Sequence, residues 1–154
     1  MQFIKQAADI PWDAAASLYR CWDSKRHDRR WPAYGDFSAI DLVPWLSRLL
    51  VVERDPAAPD IFQFRIIGTM LTAIMEYDPT GSDVRGIAGG RVYNAHLLEA
   101  AEKGDPYIIP DQPSAFARKD YRRYRAISLP LSDDGAWVSG LMVMMDYLPR
   151  ADQS

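Results

Sequence analysis

Few residues of this chain have the types and spacing that catalysis or metal binding requires. The sequence contains two histidines, His27 and His96, and one cysteine, Cys21. Their spacing fits no common zinc site, because such sites need clustered cysteine and histidine ligands. The sequence also has no G-x-S-x-G nucleophile elbow of the kind that serine hydrolases use. We therefore expect no bound metal and no hydrolase activity.

Four side chains could in principle transfer protons within a small pocket: Asp78, Asp83, Tyr93 and Glu99. Carboxylates and phenols can act as general acids and bases when they are positioned against a substrate. Nothing in the spacing of these four residues singles out a pair. We therefore expect a protein that is not an enzyme, and a small isomerase- or dehydratase-like enzyme remains as an alternative.

Two basic clusters stand out in a chain whose net charge is −3. The first comprises Lys25, Arg26, Arg29 and Arg30, and the second comprises Arg118, Lys119, Arg122, Arg123 and Arg125. Clusters of this kind are usually solvated surface, so anion contacts by Arg122, Arg123 and Arg125 are a secondary hypothesis. The overall charge argues against nucleic acid as the main partner.

The length and composition indicate one globular domain. The chain has 154 residues, of which 48% are hydrophobic and 25% are charged, and this is enough to build a core with a pocket. No apolar run approaches the roughly 20 residues that span a bilayer, and the N-terminus lacks the features of a secretory signal. One cysteine cannot form an intramolecular disulfide. These observations predict a cytoplasmic protein without a membrane partner.

Two strand pairs are predicted from β-prone runs that turn residues separate. Residues 121–131 and 136–147 flank a turn at 132–135, whose Asp-Gly pair is a strong hairpin signal because glycine accepts a positive φ. Upstream, residues 49–54 and 62–67 flank a proline-containing turn. In the second of these runs, large apolar side chains alternate with polar ones, as in a strand with one buried face.

Helices are predicted between and before these strands. One helix opens at residues 11–13, and a short one follows at about 38–46, where a serine is the expected N-cap. A third is predicted at 69–76. The longest internal helix is predicted at 91–103, where a glycine provides the C-terminal stop. Residues 106–110 then form a short strand whose prolines suit a sheet edge.

Three short motifs lie at the ends of these predicted elements. They are Arg-Ile-Ile-Gly-Thr at 65–69, Tyr-Asp-Pro-Thr-Gly at 77–81 and Leu-Pro-Leu at 129–131. In this order and spacing they resemble the PAS fold, specifically a bacterial group of stand-alone PAS domains, over residues 18–148. The resemblance implies an α+β domain in which a five-stranded antiparallel sheet carries helices over one face and a pocket between them. Residues 1–34 would form an N-terminal helical cap on a PAS-like core at 35–149.

The resemblance also implies a sensory or regulatory role in bacterial signalling. The expected pocket lining consists of Phe64, Met70, Ile74, Tyr93, Leu97, Met142 and Met144. A chain of 154 residues leaves no room for a kinase or a helix-turn-helix domain, so the output is expected to pass to an effector protein in trans. The small molecule is unknown. The alternative is an interaction module in which the same side chains fill the core and no ligand binds.

Heme and flavin, which some PAS domains bind, are not expected here. His96 lies in the helix that supplies an iron ligand in some heme-binding relatives, but it shares a helical face with polar residues and is predicted to point partly to solvent. The photochemistry of flavin-binding relatives needs a cysteine in an Asn-Cys-Arg type motif. Cys21 lies in the N-terminal helix instead.

The N-terminal helix carries three large aromatic residues, Trp12, Tyr19 and Trp22, on one stripe. PAS domains that this chain resembles often dimerise through a helix that precedes the core. Aromatic residues supply anchors at protein interfaces, although packing against the chain's own sheet would bury them equally well. A homodimer through this helix is the preferred expectation, and a cap over the chain's own core is the alternative.

Overall fold

A computed structural model describes residues 1–114 and 123–148. Within these residues, six strands form one antiparallel sheet in the order β1-β4-β5-β6-β2-β3. The strands are β1 (Gln2–Phe3), β2 (Leu49–Asp55), β3 (Ala58–Ile67), β4 (Tyr107–Pro113), β5 (Arg123–Leu131) and β6 (Gly140–Tyr147). The helices are α1 (Asp13–Arg26), α2 (Ala39–Leu42), α3 (Thr69–Met75) and α4 (Gly90–Lys103). Short 3-10 turns join several of these elements.

The α+β prediction is confirmed, with one difference in the number of strands. Five of the six strands correspond to the predicted sheet, and the sixth is β1, which pairs with the edge of β4. This strand contains only two residues, too few to show an alternating pattern. The N-terminus therefore contributes an edge strand as well as a helix.

Both faces of the sheet are covered. In β5 and β6, nearly every residue from Ala126 to Leu131 and from Gly140 to Met145 is buried, which is expected of strands packed on two sides. The helix α4 covers one face, which we call the α4 face. The helix α1 covers the other, the cap face, where the Trp12 indole donates a hydrogen bond to Asp146 Oδ2 at 3.1 Å.

The connection between β5 and β6 is longer than the predicted tight turn. The strands pair as a hairpin, but residues 132–139 form an extended loop between them. Gly135 has the positive φ of 77° that its position in the Asp-Gly pair predicts, and its backbone N donates to Ser132 Oγ at 2.8 Å. Trp137 leaves the strand and lies over the Arg54 guanidinium, 4.2 Å from its carbon to the ring centre. The strand predicted to begin at residue 136 therefore begins at Gly140, and Trp137 contributes a cation–π contact instead.

Local signals locate the helices, except that α2 ends at Leu42, before the predicted end at about residue 46. Ser38 caps α2, because its Oγ accepts a hydrogen bond from Asp41 N while Asp41 Oδ2 accepts one from Ser38 N. Gly104 ends α4 with a left-handed φ of 71°. Among the described residues, no helix combines the length and hydropathy that crossing a membrane requires.

Asn94 fixes α4 against the sheet. Its side chain is buried, and it accepts a hydrogen bond from Phe62 N at 2.9 Å and donates one to Asp60 O at 2.8 Å. The Asn94 amide thus hydrogen-bonds to two backbone groups of β3 in the way that a neighbouring strand would. The helix is thereby held at β3 while its remaining inner face spans β4, β5 and β6.

Candidate functional site

A cavity of about 230 Å³ lies between α4 and strands β4, β5 and β6. Its lining consists of Gly89, Val92, Tyr93, His96, Tyr107, Ile109, Gln112, Pro113, Tyr124, Ala126, Ser128, Val143 and Met145. None of these residues is an aspartate, glutamate, lysine or arginine. The cavity therefore suits an uncharged molecule with a large apolar surface.

Small side chains on β5 create the space. Ala126 and Ser128 occupy successive positions on the α4 face, where the cross-strand partner of Ser128 on β4 is Tyr107. Larger residues at these two positions would fill the volume beneath α4. The pairing of β4 with β5 also shifts register between Ile109 and Gln112, so that β4 bends beside the opening of the cavity.

Tyrosines form much of the wall. Tyr93, Tyr107 and Tyr124 line the cavity, and the ring of Tyr147 lies 5.9 Å from that of Tyr124 between centres. Burial raises the pKa of Tyr93 well above its usual value, and the neighbouring phenols raise it further. Burial likewise raises the pKa of Tyr107 and Tyr124. These hydroxyls are therefore protonated at neutral pH and can donate hydrogen bonds.

Ser128 places a hydroxyl on the sheet side of the cavity, which we call the floor. The residue is 2% exposed, and its buried Oγ makes no hydrogen bond of normal geometry within the described residues. Burial raises the pKa of Tyr107, and a hydrogen-bonding interaction with Ser128 opposes this effect, although the geometry between the two hydroxyls is not that of a well-formed hydrogen bond.

Solved structures of similar fold come from PAS and light-oxygen-voltage (LOV) domains. The PAS domain of Bordetella pertussis BvgS aligns with a TM-score of 0.53 and 13% identity, over 71% of this chain and 85% of that chain. A LOV domain studied with a flavin analogue aligns with a TM-score of 0.51 and 13% identity, over 73% of this chain and 84% of that chain. The fold is PAS-like. No family model matches the sequence, and no curated protein matches it.

The cavity occupies the space between helix and sheet that the PAS resemblance predicts, but most of its lining differs from the expected set. Of the predicted residues, Tyr93 lines it. Phe64 borders a separate space of about 10 Å³ beneath α3. Met70 is 44% exposed, and Ile74 is half-buried, because α3 turns Leu71 and Met75 toward the core instead. Leu97 is fully buried in α4 without reaching the cavity lining.

Met142 and Met144 lie on the cap face and therefore do not line the cavity. Their cross-strand partners on β5 are Leu129 and Ile127, which alternate with the cavity-lining Ser128. The neighbouring β6 residues, Val143 and Met145, line the cavity instead. A displacement of one position along a strand moves every side chain to the other face, which accounts for the difference from the predicted lining.

Several lining residues carried no distinctive signal in the sequence. Tyr107 and Tyr124 appeared only as strand residues, and Ser128 only as part of a β-prone run. The alternation of Tyr124, Ala126 and Ser128 was the available signal. Two small residues at every second position of a central strand indicate a face with room above it.

Among the described residues, the lining of the cavity lacks the reactive cysteine and the shielded histidine that the flavin and heme chemistry considered above would need. No cysteine lines it, and Cys21 lies in α1 on the cap side, where burial raises the pKa of its thiol. His96 lies at the rim of the cavity, and its side chain is exposed, whereas a heme ligand needs a shielded position. Across residues 1–114 and 123–148, no cluster of three acidic, histidine or cysteine side chains could hold a metal ion.

The aromatic residues expected at a dimer contact are buried within the chain. Trp12, Tyr19 and Trp22 are 6%, 7% and 3% exposed. The Trp22 indole donates to Pro130 O at 2.8 Å, and the Tyr19 hydroxyl donates to Lys5 O at 3.1 Å. These side chains have little surface left for a partner subunit, so the alternative, a cap over the chain's own sheet, describes the helix better.

Two residues of the second basic cluster, Arg123 and Arg125, have partners among the described residues. The other three, Arg118, Lys119 and Arg122, lie outside those residues. The Arg123 side chain donates to Asp111 Oδ1 at 2.6 Å, and the Arg125 guanidinium lies 4.8 Å from the centre of a Trp12 ring. These contacts compete with an external anion, and an anion site here stays a prediction.

Proposed function

We propose that this protein is a PAS-type sensory or regulatory domain of bacterial signalling that binds a small, mainly apolar molecule in the cavity beneath α4. Ligand binding in the domain would be signalled to a separate effector protein in the cytoplasm. The observation that carries the proposal is the cavity of about 230 Å³ lined by tyrosines and aliphatic side chains. The alternative with a filled, ligand-free core would leave no space of this size at that place.

The size of the cavity supports a ligand rather than a packing defect. Native cores contain few voids larger than a water molecule. An apolar cavity of roughly 150 Å³ holds benzene, so a volume about one and a half times larger suits a molecule of about nine to eleven heavy atoms. Polar groups at a few positions of an otherwise apolar lining are typical of sites that orient one molecule.

The arrangement of acidic residues supports a role without catalysis. No carboxylate is among the described residues that line the cavity. Hydrogen bonds within a local turn, chiefly from Thr80, lower the pKa of Asp78. The Asp83 carboxylate is paired with Arg85 at 2.7 Å, and Glu99 is exposed. The candidates for proton transfer are therefore dispersed rather than grouped around a substrate.

Exposed apolar residues favour protein docking as a second function of the same domain. Ile40 and Val43, at the end of α2, are 84% and 63% exposed. Large apolar side chains grouped on a surface often mark a contact with another protein. An effector protein that docks at α2 would be compatible with ligand binding beneath α4.

Retention of a ligand and its dependence on the cavity test the proposal. We expect native mass spectrometry of freshly purified protein to show a bound small molecule. The substitution Ala126→Phe should abolish retention, because a phenyl ring would occupy much of the cavity. Ala73→Phe is the matched control, since Ala73 is exposed on α3 and does not line the cavity.

A melting screen with small aromatic compounds provides the second measurement. A ligand present at 100 times its Kd stabilises the native state by about 2.7 kcal/mol, which should raise the melting temperature by roughly 5–10 °C in a domain of this size. The rise should occur in the parent protein and in Ala73→Phe but not in Ala126→Phe. If no molecule is retained and no compound shifts the melting temperature, the filled-core interaction module is the better account.

A further inference from the structure

The buried hydroxyl of Ser128 indicates which kind of molecule the cavity selects. This side chain is almost completely buried and faces the cavity from the floor. The Tyr107 hydroxyl interacts with it, but its Oγ makes no hydrogen bond of normal geometry among the described residues. Buried polar atoms in native proteins nearly always have a partner, so a buried hydroxyl beside a cavity points to a group that enters the cavity. Water can serve that hydroxyl in the free protein, and a ligand that displaces the water must replace its hydrogen bond.

The surroundings of Ser128 restrict the group that could meet it. Its neighbours across the strands are Tyr107 and Val143, and none of the described residues that line the cavity is an aspartate, glutamate, lysine or arginine. A carboxylate or an ammonium group at the floor would be desolvated without a counterion, which is costly. A hydroxyl or a carbonyl oxygen carries no such cost and can bond to a serine hydroxyl. The remaining lining is mainly aromatic and aliphatic, which suits a flat apolar body.

We propose that the ligand is a neutral aromatic molecule of about nine to eleven heavy atoms whose single hydroxyl or carbonyl oxygen hydrogen-bonds to Ser128 at the floor of the cavity. This inference rests on the proposed function, because it assigns the ligand class of the same cavity. The tyrosine rings of the wall pack against the aromatic body, and Ser128 sets which end of the molecule enters first. The Ser128 hydroxyl makes the cavity select ligands with a polar group, because an apolar analogue would displace water from this hydroxyl without replacing its hydrogen bond.

Two probes of nearly equal shape test this selectivity: 2-naphthol and 2-methylnaphthalene. Both fit the expected size, and they differ in a hydroxyl against a methyl group. Their Kd values would be measured by fluorescence titration with the full chain, with Ser128→Ala and with Ser24→Ala. The Ser24→Ala control removes an exposed hydroxyl of α1 that bonds to Cys21 O and lies far from the cavity lining. Melting temperatures within about 4 °C of the parent would show that the variants are folded.

We expect Ser128→Ala to weaken 2-naphthol binding by about threefold to tenfold, which is the loss of one hydrogen bond, and to change 2-methylnaphthalene binding by less than about twofold. Ser24→Ala should alter neither Kd. If both probes bind and Ser128→Ala affects them equally, or affects neither, the inference is overturned while the cavity stands as a binding site. If neither probe binds the parent protein, the inference is overturned, and the retained ligand and the melting screen then decide the ligand-binding function separately.

Discussion

Gly68 provides a sharp test of how β3 is connected to α3. The residue passes directly under the turn at residues 46–48, and its backbone N donates to Leu49 O at 2.7 Å. A Cβ added to Gly68 would overlap the carbonyl oxygens of Leu46 and Ser47. The φ of Gly68 is −66°, an ordinary value for any residue. The glycine is therefore required for space and not for an unusual backbone angle.

The cost of Gly68→Ala follows from the kind of atom that is overlapped. Backbone carbonyls cannot rotate away as a flexible side chain would, so either α3 must move or the hydrogen bond to Leu49 must lengthen. Overpacking costs about 1–3 kcal/mol, and weakening a buried hydrogen bond costs about 1–2 kcal/mol more. We therefore expect Gly68→Ala to lower the free energy of unfolding by about 2–5 kcal/mol, a large part of the stability of a typical domain.

Urea denaturation followed by tryptophan fluorescence would measure this loss. Two other glycines separate the causes. Gly86→Ala meets no atom within 4 Å at an ordinary φ, so we expect a change within about 1 kcal/mol, in either direction. Gly81→Ala also meets open space but has a φ of 83°, so about 1–2 kcal/mol of strain is expected. The close-approach argument is refuted if Gly68→Ala is no more destabilising than Gly86→Ala.

Three further predictions concern the cap and the tyrosines. Trp22→Phe removes the buried hydrogen bond to Pro130 O and should lower the free energy of unfolding, measured by urea denaturation, by about 2 kcal/mol. A loss below about 0.5 kcal/mol would mean that this bond does not hold α1 against the sheet. Asp146→Ala removes the acceptor of the buried Trp12 indole and of the half-buried Arg48 guanidinium, and should cost about 2–4 kcal/mol. Asp111→Ala breaks an exposed ion pair with Arg123 and should cost less than about 1 kcal/mol, so equal losses would contradict the burial argument. Burial raises the pKa of Tyr124 above its unfolded value of about 10, so the unfolded chain loses this proton first. The domain should therefore become less stable as the pH rises above 10. Tyr124→Phe should reduce the fall in urea midpoint between about pH 8 and 11, and an unchanged fall would exclude Tyr124 as its source.

The elements that depend on local chemistry could be predicted from the sequence. The prolines and aspartates of residues 55–60 predict a turn, which the structure confines to residues 56–57 between β2 and β3, where Ala57 N donates to Asp55 Oδ1 at 2.8 Å. Gly104 ends α4 because a left-handed residue is favourable there. Turn and cap signals act over a few residues, so they hold whatever the rest of the chain does.

The position of the cap could not be predicted in the same way. A stripe of aromatic residues on α1 indicates that this face is buried, but the sequence pattern does not identify the surface that it packs against. In the structure, two side-chain hydrogen bonds join α1 and its N-cap to the sheet, from Trp12 to Asp146 and from Trp22 to Pro130. Each bond joins residues more than 100 positions apart in the chain. Indole N–H groups need an acceptor when buried, and for Trp12 and Trp22 strands β6 and β5 supply it.

The cavity lining was difficult to predict for a related reason, which lies in β5 and β6. Where a sheet is covered on one face, apolar and polar residues alternate and the inner face can be read directly. Residues 141–145 of β6 are apolar at every position, so either set of alternate side chains could have faced α4. On the neighbouring strand β5, side-chain volume distinguishes the two faces, because Ala126 and Ser128 alternate with the larger Ile127 and Leu129. The large pair packs beneath α1 and fills the cap face, while the small pair leaves space beneath α4. In a strand that is buried on both sides, the face with the smaller residues is therefore the one to examine for a ligand.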